Sequence, residues 1–359
     1  MIFARSPFII TIDETPQEST RLELFLWNGT GAAPAAPTYS LSKKVPSVNN
    51  NATYYNIAPF IREFFDFTQV ASTPGGMSQN TNEDFYCNVI YKTYYTLDGT
   101  ETLIDTVTDK AFDGFGYFED EYNYQGQNVL LTDLSNYGGS NTYYYLCDSN
   151  AGLLTLYTEA TILNDWKARY TNLSTGTIQN VTLTDNMVVD VKRVYTGWNA
   201  VGNKLEIIKT IGPIDSIQAT FYFIPQCECR YTPISVEFVN RWGSWQNEFF
   251  YKASTESVEM ENNRFKSNPV PFPNYSTTQP QYKTFNTNGK RTFKVNTGWV
   301  NENYKQVIEE MLLSEMIRVD GLPANLKTKS IEKFKSINTK TINYTMEFEM
   351  AYDIINSIS

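Results

Sequence analysis

The last stretch of the chain does most to constrain its fold. Ile342, Tyr344, Met346, Phe348, Met350, Tyr352 and Ile354 alternate with Thr341, Asn343, Thr345, Glu347, Glu349, Ala351 and Asp353. Successive side chains of a strand point to opposite faces, so one face here is apolar and the other polar, as an antiparallel strand over a core requires. The same period of two runs through "PFIITID" (7–13) and "RLELFLW" (21–27), and further strands are predicted at 186–195, 204–210 and 216–224. "YCNVIYKTYYT" and "ETLIDTVT" flank Leu97-Asp98-Gly99-Thr100, a hairpin signal because Asp-Gly readily supplies turn positions with φ > 0. "NTYYYLC" and "LLTLYT" flank a second turn, Asp148 to Gly152. With 25 Tyr and 22 Phe the chain has material for a large core, which argues against disorder and favours strands.

Two segments break the pattern. "NIAPFIREFF" places Ile57, Phe60, Ile61, Phe64 and Phe65 at helical spacing, with Asn56 as the expected N-cap and Pro59 early enough to be tolerated. "VNENYKQVIEEMLL" puts Val300, Tyr304, Val307, Ile308, Met311 and Leu312 on one face of an amphipathic helix. The prediction is an all-β protein of two or three β-sandwich-like domains, with a short helix near 57–65 and an amphipathic helix near 300–316. At 359 residues more than one domain is expected: a β-sandwich-like domain over 1–156, a β-rich domain over 157–226 and a β domain with an inserted helix over 227–359.

The chain contains no histidine, so a Ser-His-Asp triad, a Cys-His dyad and an imidazole zinc site are all ruled out. The formal net charge of −10 makes nucleic acid an improbable main partner, since such binding runs on neutralising phosphates. No apolar run reaches the ~20 residues that a membrane-spanning helix needs. The opening "MIFARSPFIITIDE" lacks the pattern of a signal peptide, which predicts a chain made and folded in the cytoplasm with its four thiols free. Six Asn-x-Ser/Thr triplets then reflect an Asn- and Thr-rich composition rather than glycosylation.

"CECRYTPISVEFVNRWGSWQNEFF" (227–250) invites a metal or catalytic reading. On a strand Cys227 and Cys229 face the same side about 6–7 Å apart, too far for an unstrained disulfide, and two cysteines alone cannot close a zinc tetrahedron. The segment instead predicts a β-hairpin turning at Gly243, with Trp245, Asn247, Phe249 and Tyr251 alternating on the return strand. Trp245 is then core, and Trp242, inside the turn, is a candidate interface anchor. The acidic stretch 98–123, with Asp113 and Glu119, and the basic segment with Lys327, Lys329, Lys333, Lys335 and Lys340 are candidate complementary faces of neighbouring subunits. The acids could also hold two opposed carboxylates for glycoside hydrolysis, the least favoured reading. No Walker P-loop, dinucleotide fingerprint, EF-hand loop or nucleophile elbow occurs, and no cofactor, metal or catalytic residue is expected.

The succession "CRYTPISVEFVNRWGSWQNEFFYKAS", "KRTFKVNTGWVNENYKQVIEEMLLSEMIRVDG" and the alternating last strand resembles tail and baseplate-hub structural proteins of tailed phages infecting Bacteroidetes, the crAss-like group among them. "YYNIAPFIREFF" is similar to a strand-plus-short-helix unit in the β-sandwich domains of such proteins. The resemblance covers about half the chain, in its structural motifs. It implies a non-enzymatic virion component located in the tail, whose partners are other virion proteins and copies of itself. The alternative is a carbohydrate-binding β-sandwich of the tail that takes a surface glycan on Trp and Tyr platforms.

Overall fold

A computed structural model describes residues 1–29, 31–47, 50–65, 78–80, 86–120, 141–146, 152–159, 164–183, 189–196, 199–226, 230–267, 278–330 and 341–356. It is all-β, as the period-two pattern requires, with two short α-helices among the described residues.

The N-terminal segment folds as a sandwich of β1 (Ile2–Phe3), β2 (Ile9–Ile12), β3 (Ser19–Trp27), β4 (Tyr39–Lys44), β5 (Thr53–Asn56), α1 (Ala58–Arg62), β6 (Ser78–Asn80, which joins a later sheet), β7 (Tyr86–Leu97) and β8 (Thr100–Phe112). One layer is a five-stranded sheet in the order β1-β8-β7-β3-β4; the other is the β2–β5 pair with α1. Leu22, Leu24 and Leu26 of β3 and Val89 of β7 pack in one core with Ile10, Ile12, Tyr55 and Ile61. A polar pin joins the layers: the Tyr55 hydroxyl donates to the Thr20 carbonyl at 2.9 Å, and the Thr20 and Thr53 hydroxyls lie 2.7 Å apart. Asp98 (φ 50°) and Gly99 (φ 73°) form the expected two-residue turn between β7 and β8, since positive φ at both central positions matches the twist of the strands. Helix α1 starts one residue later than expected. Ile57 is its N-cap and makes no side-chain cap bond, while the Asn56 side chain accepts the backbone N–H groups of Phe8 (3.1 Å) and Ala58 (3.3 Å).

A second sandwich follows from β9 (Asn141–Leu146), β10 (Gly152–Glu159), β11 (Asn164–Asn172), β12 (Ile178–Thr182), β13 (Val189–Thr196), β14 (Asn203–Ile211) and β15 (Ile214–Pro225). Its five-stranded sheet, β12-β11-β14-β15-β9, shares a core with the three-stranded sheet β10-β13-β6. Trp166, Leu205, Phe221, Phe223 and Tyr144 meet Leu154 and Leu156 there. β9 and β10 belong to different sheets: β9 pairs in parallel with β15, and β10 antiparallel with β13. β9 and β10 are therefore not hairpin partners, and the predicted turn at 148–151 lies outside the described residues.

The C-terminal segment contains β16 (Ile234–Val239), β17 (Trp245–Phe250), β18 (Thr255–Lys266), β19 (Tyr282–Asn301), α2 (Lys305–Leu313), β20 (Ile317–Val319), β21 (Leu322–Leu326) and β22 (Thr341–Met350). Its sheet runs β17-β16-β20-β21-β22-β19-β18. Tyr344, Met346, Phe348 and Met350 are buried, as their alternation predicts. β22 nevertheless stops at Met350. Ala351 N–H then bonds the Pro323 carbonyl (3.0 Å) and Ile354 N–H the Gly289 carbonyl (2.8 Å), so Tyr352 and Ile354 stay exposed. On β17 the expected face is corrected: Gln246, Glu248 and Phe250 are buried, while Asn247 and Phe249 are only half-buried. Glu248 is accommodated because the Tyr304 hydroxyl donates to its carboxylate at 2.6 Å. Ile308 and Met311 of α2 are fully buried. Ile308→Asp should lower stability by roughly 3 kcal/mol or more in urea denaturation, because it buries an unpaired carboxylate.

The chain divides into two compact units. The first comprises Met1–Cys227, Phe238–Asn247 and Glu309–Ser314; the second comprises Glu228–Glu237, Glu248–Ile308 and Glu315–Ser359. Among the described residues no helix is long and apolar enough to cross a membrane.

Candidate functional site

The most unusual surface lies in the second unit, on the ribbon of β18 and β19. All 12 residues of β18 are exposed, and so are Tyr282 to Thr287 of β19. The reason is a mismatch of strand lengths. β22 pairs with β19 only between Thr292 and Asn301, and Ile354 bonds it at Gly289, while β18 pairs with it out to Tyr282, so beyond Asn288 the ribbon is two strands with no third beside it among the described residues. Directly paired residues share a face. Val258 (opposite Arg291) and Met260 (opposite Gly289) lie on one face at 54% and 70% exposure. A register shift follows between Glu261 and Asn263, where Asn286 takes φ 50°. Beyond it Phe265 and Phe285 meet edge-on, ring centroids 5.6 Å apart, both about half exposed. On β19 a further shift between Asn296 and Trp299 leaves the Trp299 indole 68% exposed, opposite Asn343 on the polar side of β22.

Charge is ordered across the same sheet. Glu347 and Glu349 on β22 oppose Lys294 and Thr292 on β19, and Lys290 on β19 opposes Glu259 on β18. Lys327 bonds both Glu259 (2.5 Å) and Glu347 (3.3 Å). The hydrogen bond it donates to Glu259 is the main reason its ammonium is held above the usual lysine range. Lys327 is therefore occupied within its own unit. Of the other candidate basic residues, Lys329 is exposed, and Lys333, Lys335 and Lys340 lie outside the described residues.

The hairpin tip points inward, which corrects the expectation for Trp242. It is 1% exposed, with its ring 5.6 Å from that of Phe3. The Asn240 side chain shapes the turn by accepting the N–H groups of Trp242 (3.0 Å) and Ser244 (3.1 Å). The Arg241 carbonyl accepts the Phe115 N–H at 2.8 Å, and the Glu310 carboxylate accepts the Arg241 N–H at 3.2 Å. A turn position alone carries no sign that another segment will cover it. Trp245, 5% exposed, is buried as expected.

The acidic stretch is not a single face. Asp113 is buried beside Arg62 at 3.5 Å, so it cannot meet a neighbour. Glu119 is exposed. Glu101 is held below the usual carboxylate range chiefly by its hydrogen bonds to the Arg21 guanidinium, at 2.6 Å. Asp109 pairs with the terminal amine at 2.7 Å. Among the described residues no group of three or more His, Cys, Asp or Glu side chains could hold a metal ion. Cys87 is fully buried, and burial pushes its thiol up to about 12. The other three cysteines lie outside the described residues. Cys87 should stay unreactive towards a disulfide reagent at pH 8 until the protein is denatured, because the thiolate is the reactive form.

Val258, Met260, Phe265, Phe285 and Trp299 were not anticipated as site residues. The available signal was that "TESVEMENNRFK" carries charged or amide side chains at both strand parities, which leaves it no clean core face.

No family model matches the chain, and no curated protein matches it. Among solved structures it is similar to the N-terminal eight Ig domains of Down Syndrome Cell Adhesion Molecule isoform 1.30.30, at 8% identity and a TM-score of 0.21. The match covers 96% of this chain and 46% of that one, so the chain spans about half the neighbour's length; a likeness this loose carries no argument about fold or function.

Proposed function

We propose that this chain is a structural component of a tailed-phage virion, a tail hub, ring or baseplate part of the crAss-like group. It is made in the host cytoplasm and works by assembling with neighbouring virion proteins and copies of itself, without a catalytic step. The β18–β19 ribbon carries this reading. A two-stranded ribbon is marginally stable by itself, and this one exposes Val258, Met260, Phe265, Tyr282 and Phe285. Exposed apolar groups on a projecting element are stabilised when a neighbour covers them. The resemblance of the C-terminal third to phage tail proteins supports the same reading. The test is an antibody against the purified protein, applied to intact particles under the electron microscope. Decoration at the tail in a fixed copy number is the expected result; its absence from purified particles would end the proposal.

Trp299 favours a second reading, a glycan-binding protein of the tail. Its exposed indole stands on the polar face of the sheet, where Asn296 donates to the Thr345 hydroxyl at 2.9 Å. A flat aromatic beside amide and hydroxyl groups suits the apolar face of a sugar ring. A glycan array probed with the intact chain and with Trp299→Ala tests it: signal lost in the variant supports this reading, and no signal from the intact chain dismisses it.

A further inference from the structure

The chain carries a net charge of −10, yet no Asp or Glu occurs from Asn262 to Asn301, while six cations do: Arg264, Lys266, Lys283, Lys290, Arg291 and Lys294. That segment holds +6, so the overall −10 leaves −16 on the rest of the chain. The ribbon sorts its charges by face. Across the register shift β18 advances two residues, from Glu261 to Asn263, while β19 spans three, from Phe285 to Asn288. The extra residue is on β19, so β18 alternates without interruption. Val258, Met260, Arg264 and Lys266 share one face, and Glu259 and Glu261 project from the other. Tyr282, paired with Lys266 and 61% exposed, joins the first face. Glu256 is the one carboxylate of β18 on that face, and it lies at the near end, 3.7 Å from Arg291. Among the described residues Arg264 and Lys266 have no ion-pair partner. The outer half of the ribbon therefore presents a cationic face with exposed apolar groups and no carboxylate.

We propose that this face docks on the acidic end of the first unit in a second copy of the chain. At that end the loop 13–18 lies beside the β7–β8 turn, since the Glu18 N–H donates to the Thr96 carbonyl at 2.9 Å. Asp13, Glu14, Glu18 and Asp98 are all exposed there, and among the described residues none has an ion-pair partner. Lys43 and Lys44 stand opposite Thr20 and Ser19 on β4, and Lys43 donates to the Tyr54 carbonyl, so carboxylates still outnumber cations at this end. A second copy is the occupant because the complement is built into the chain itself: the ribbon holds the cations and the remainder holds the acids. Val258, Met260 and Tyr282 also need apolar cover. Leu103 and Ile104, exposed on β8 close behind the same turn, supply it. Opposite charge on the two surfaces steers the docking and fixes its orientation. The surfaces differ, so the contact is head-to-tail and repeats from copy to copy, as a ring where the rotation closes. This rests on the assembly reading and names the partner of its ribbon.

The experiment is sedimentation of the full chain over a range of protein and salt concentrations, with two charge-swapped variants. One carries Arg264→Glu and Lys266→Glu. The other carries Asp13→Lys, Glu14→Lys and Glu18→Lys, with Asp98 kept because it forms its turn at φ 50°. The wild type should form oligomers that weaken as salt rises. Each variant alone should lose self-association by at least about tenfold, because like charges then meet. An equimolar mixture of the two should recover it. So should a single chain carrying all the substitutions, since each surface then meets the opposite sign again, and that recovery separates a lost contact from a lost fold. A wild type that stays monomeric at low salt overturns the proposal, even where its ribbon retains an oligonucleotide or vesicles of anionic lipid. Swaps without effect overturn it too, as does a loss that neither the mixture nor the combined chain restores. Oligomers insensitive to every swap overturn it while leaving the assembly reading standing, and tail decoration of particles tests that reading separately.

Discussion

Gly243→Ala is expected to lower the stability of the first unit by about 2–5 kcal/mol. Two effects add. The residue sits at φ +78°, where a side chain costs ~1–2 kcal/mol. A Cβ there would also lie 2.6 Å from the backbone nitrogens of both Asp113 and Gly114, and overpacking of this kind typically costs ~1–3 kcal/mol. The obstacle is backbone, so no rotamer change relieves it. The same crowding is met from the other side, since a Cβ on Gly114 would lie 2.7 Å from the Arg241 carbonyl oxygen. Gly99 supplies the control. It has nearly the same φ, +73°, but nothing within 4 Å of the added Cβ, so Gly99→Ala should show only the conformational cost of ~1–2 kcal/mol. Urea denaturation followed by tryptophan fluorescence separates the two. Equal losses in both variants would mean that the segments 113–115 and 240–244 do not meet as described.

Trp242→Ala should destabilise the fold by about 3–5 kcal/mol, the usual range for truncating a buried tryptophan. From the sequence, Trp242→Ala was expected to spare the fold and weaken assembly, and Trp245→Ala to melt it. With Trp242 at 1% exposure and Trp245 at 5%, both variants should melt early. Thermal scans of the single variants decide the matter: an unchanged midpoint for Trp242→Ala would return that residue to the surface.

The parts of the fold that could be read from the chain are those set by local chemistry. Asp98-Gly99 announced its turn because few other pairs accept positive φ twice, and the last strand announced itself because its apolar positions recur every second residue. What could not be read depends on residues far away in the chain. β9 and β10 lie on either side of a predicted turn, yet turn residues do not say which sheet the next strand joins. The tip at Trp242 looked exposed because turns usually are. Its cover comes from Phe3 and from Asp113 to Phe115, whose positions in sequence give no hint of the meeting. The ribbon escaped notice as a site for another reason. Val258 and Met260 are scattered singly among charged residues, and nothing in β18 itself says which segments will pack beside them.

The interleaved path of the chain between its two units has a consequence for synthesis. The first unit takes Phe238–Asn247 and Glu309–Ser314 from beyond its main segment, which ends at Cys227. At a translation rate of about 5–20 residues per second, the 87 residues from Glu228 to Ser314 emerge over roughly 4–17 s. Phe3 and Phe115, almost buried in the finished protein, wait for Trp242 and Arg241 through the first 20 of these residues, Glu228 to Asn247, or roughly 1–4 s. A nascent chain in this state presents an aromatic face to chaperones, and a message truncated between Cys227 and Phe238 yields a product with that face permanently open.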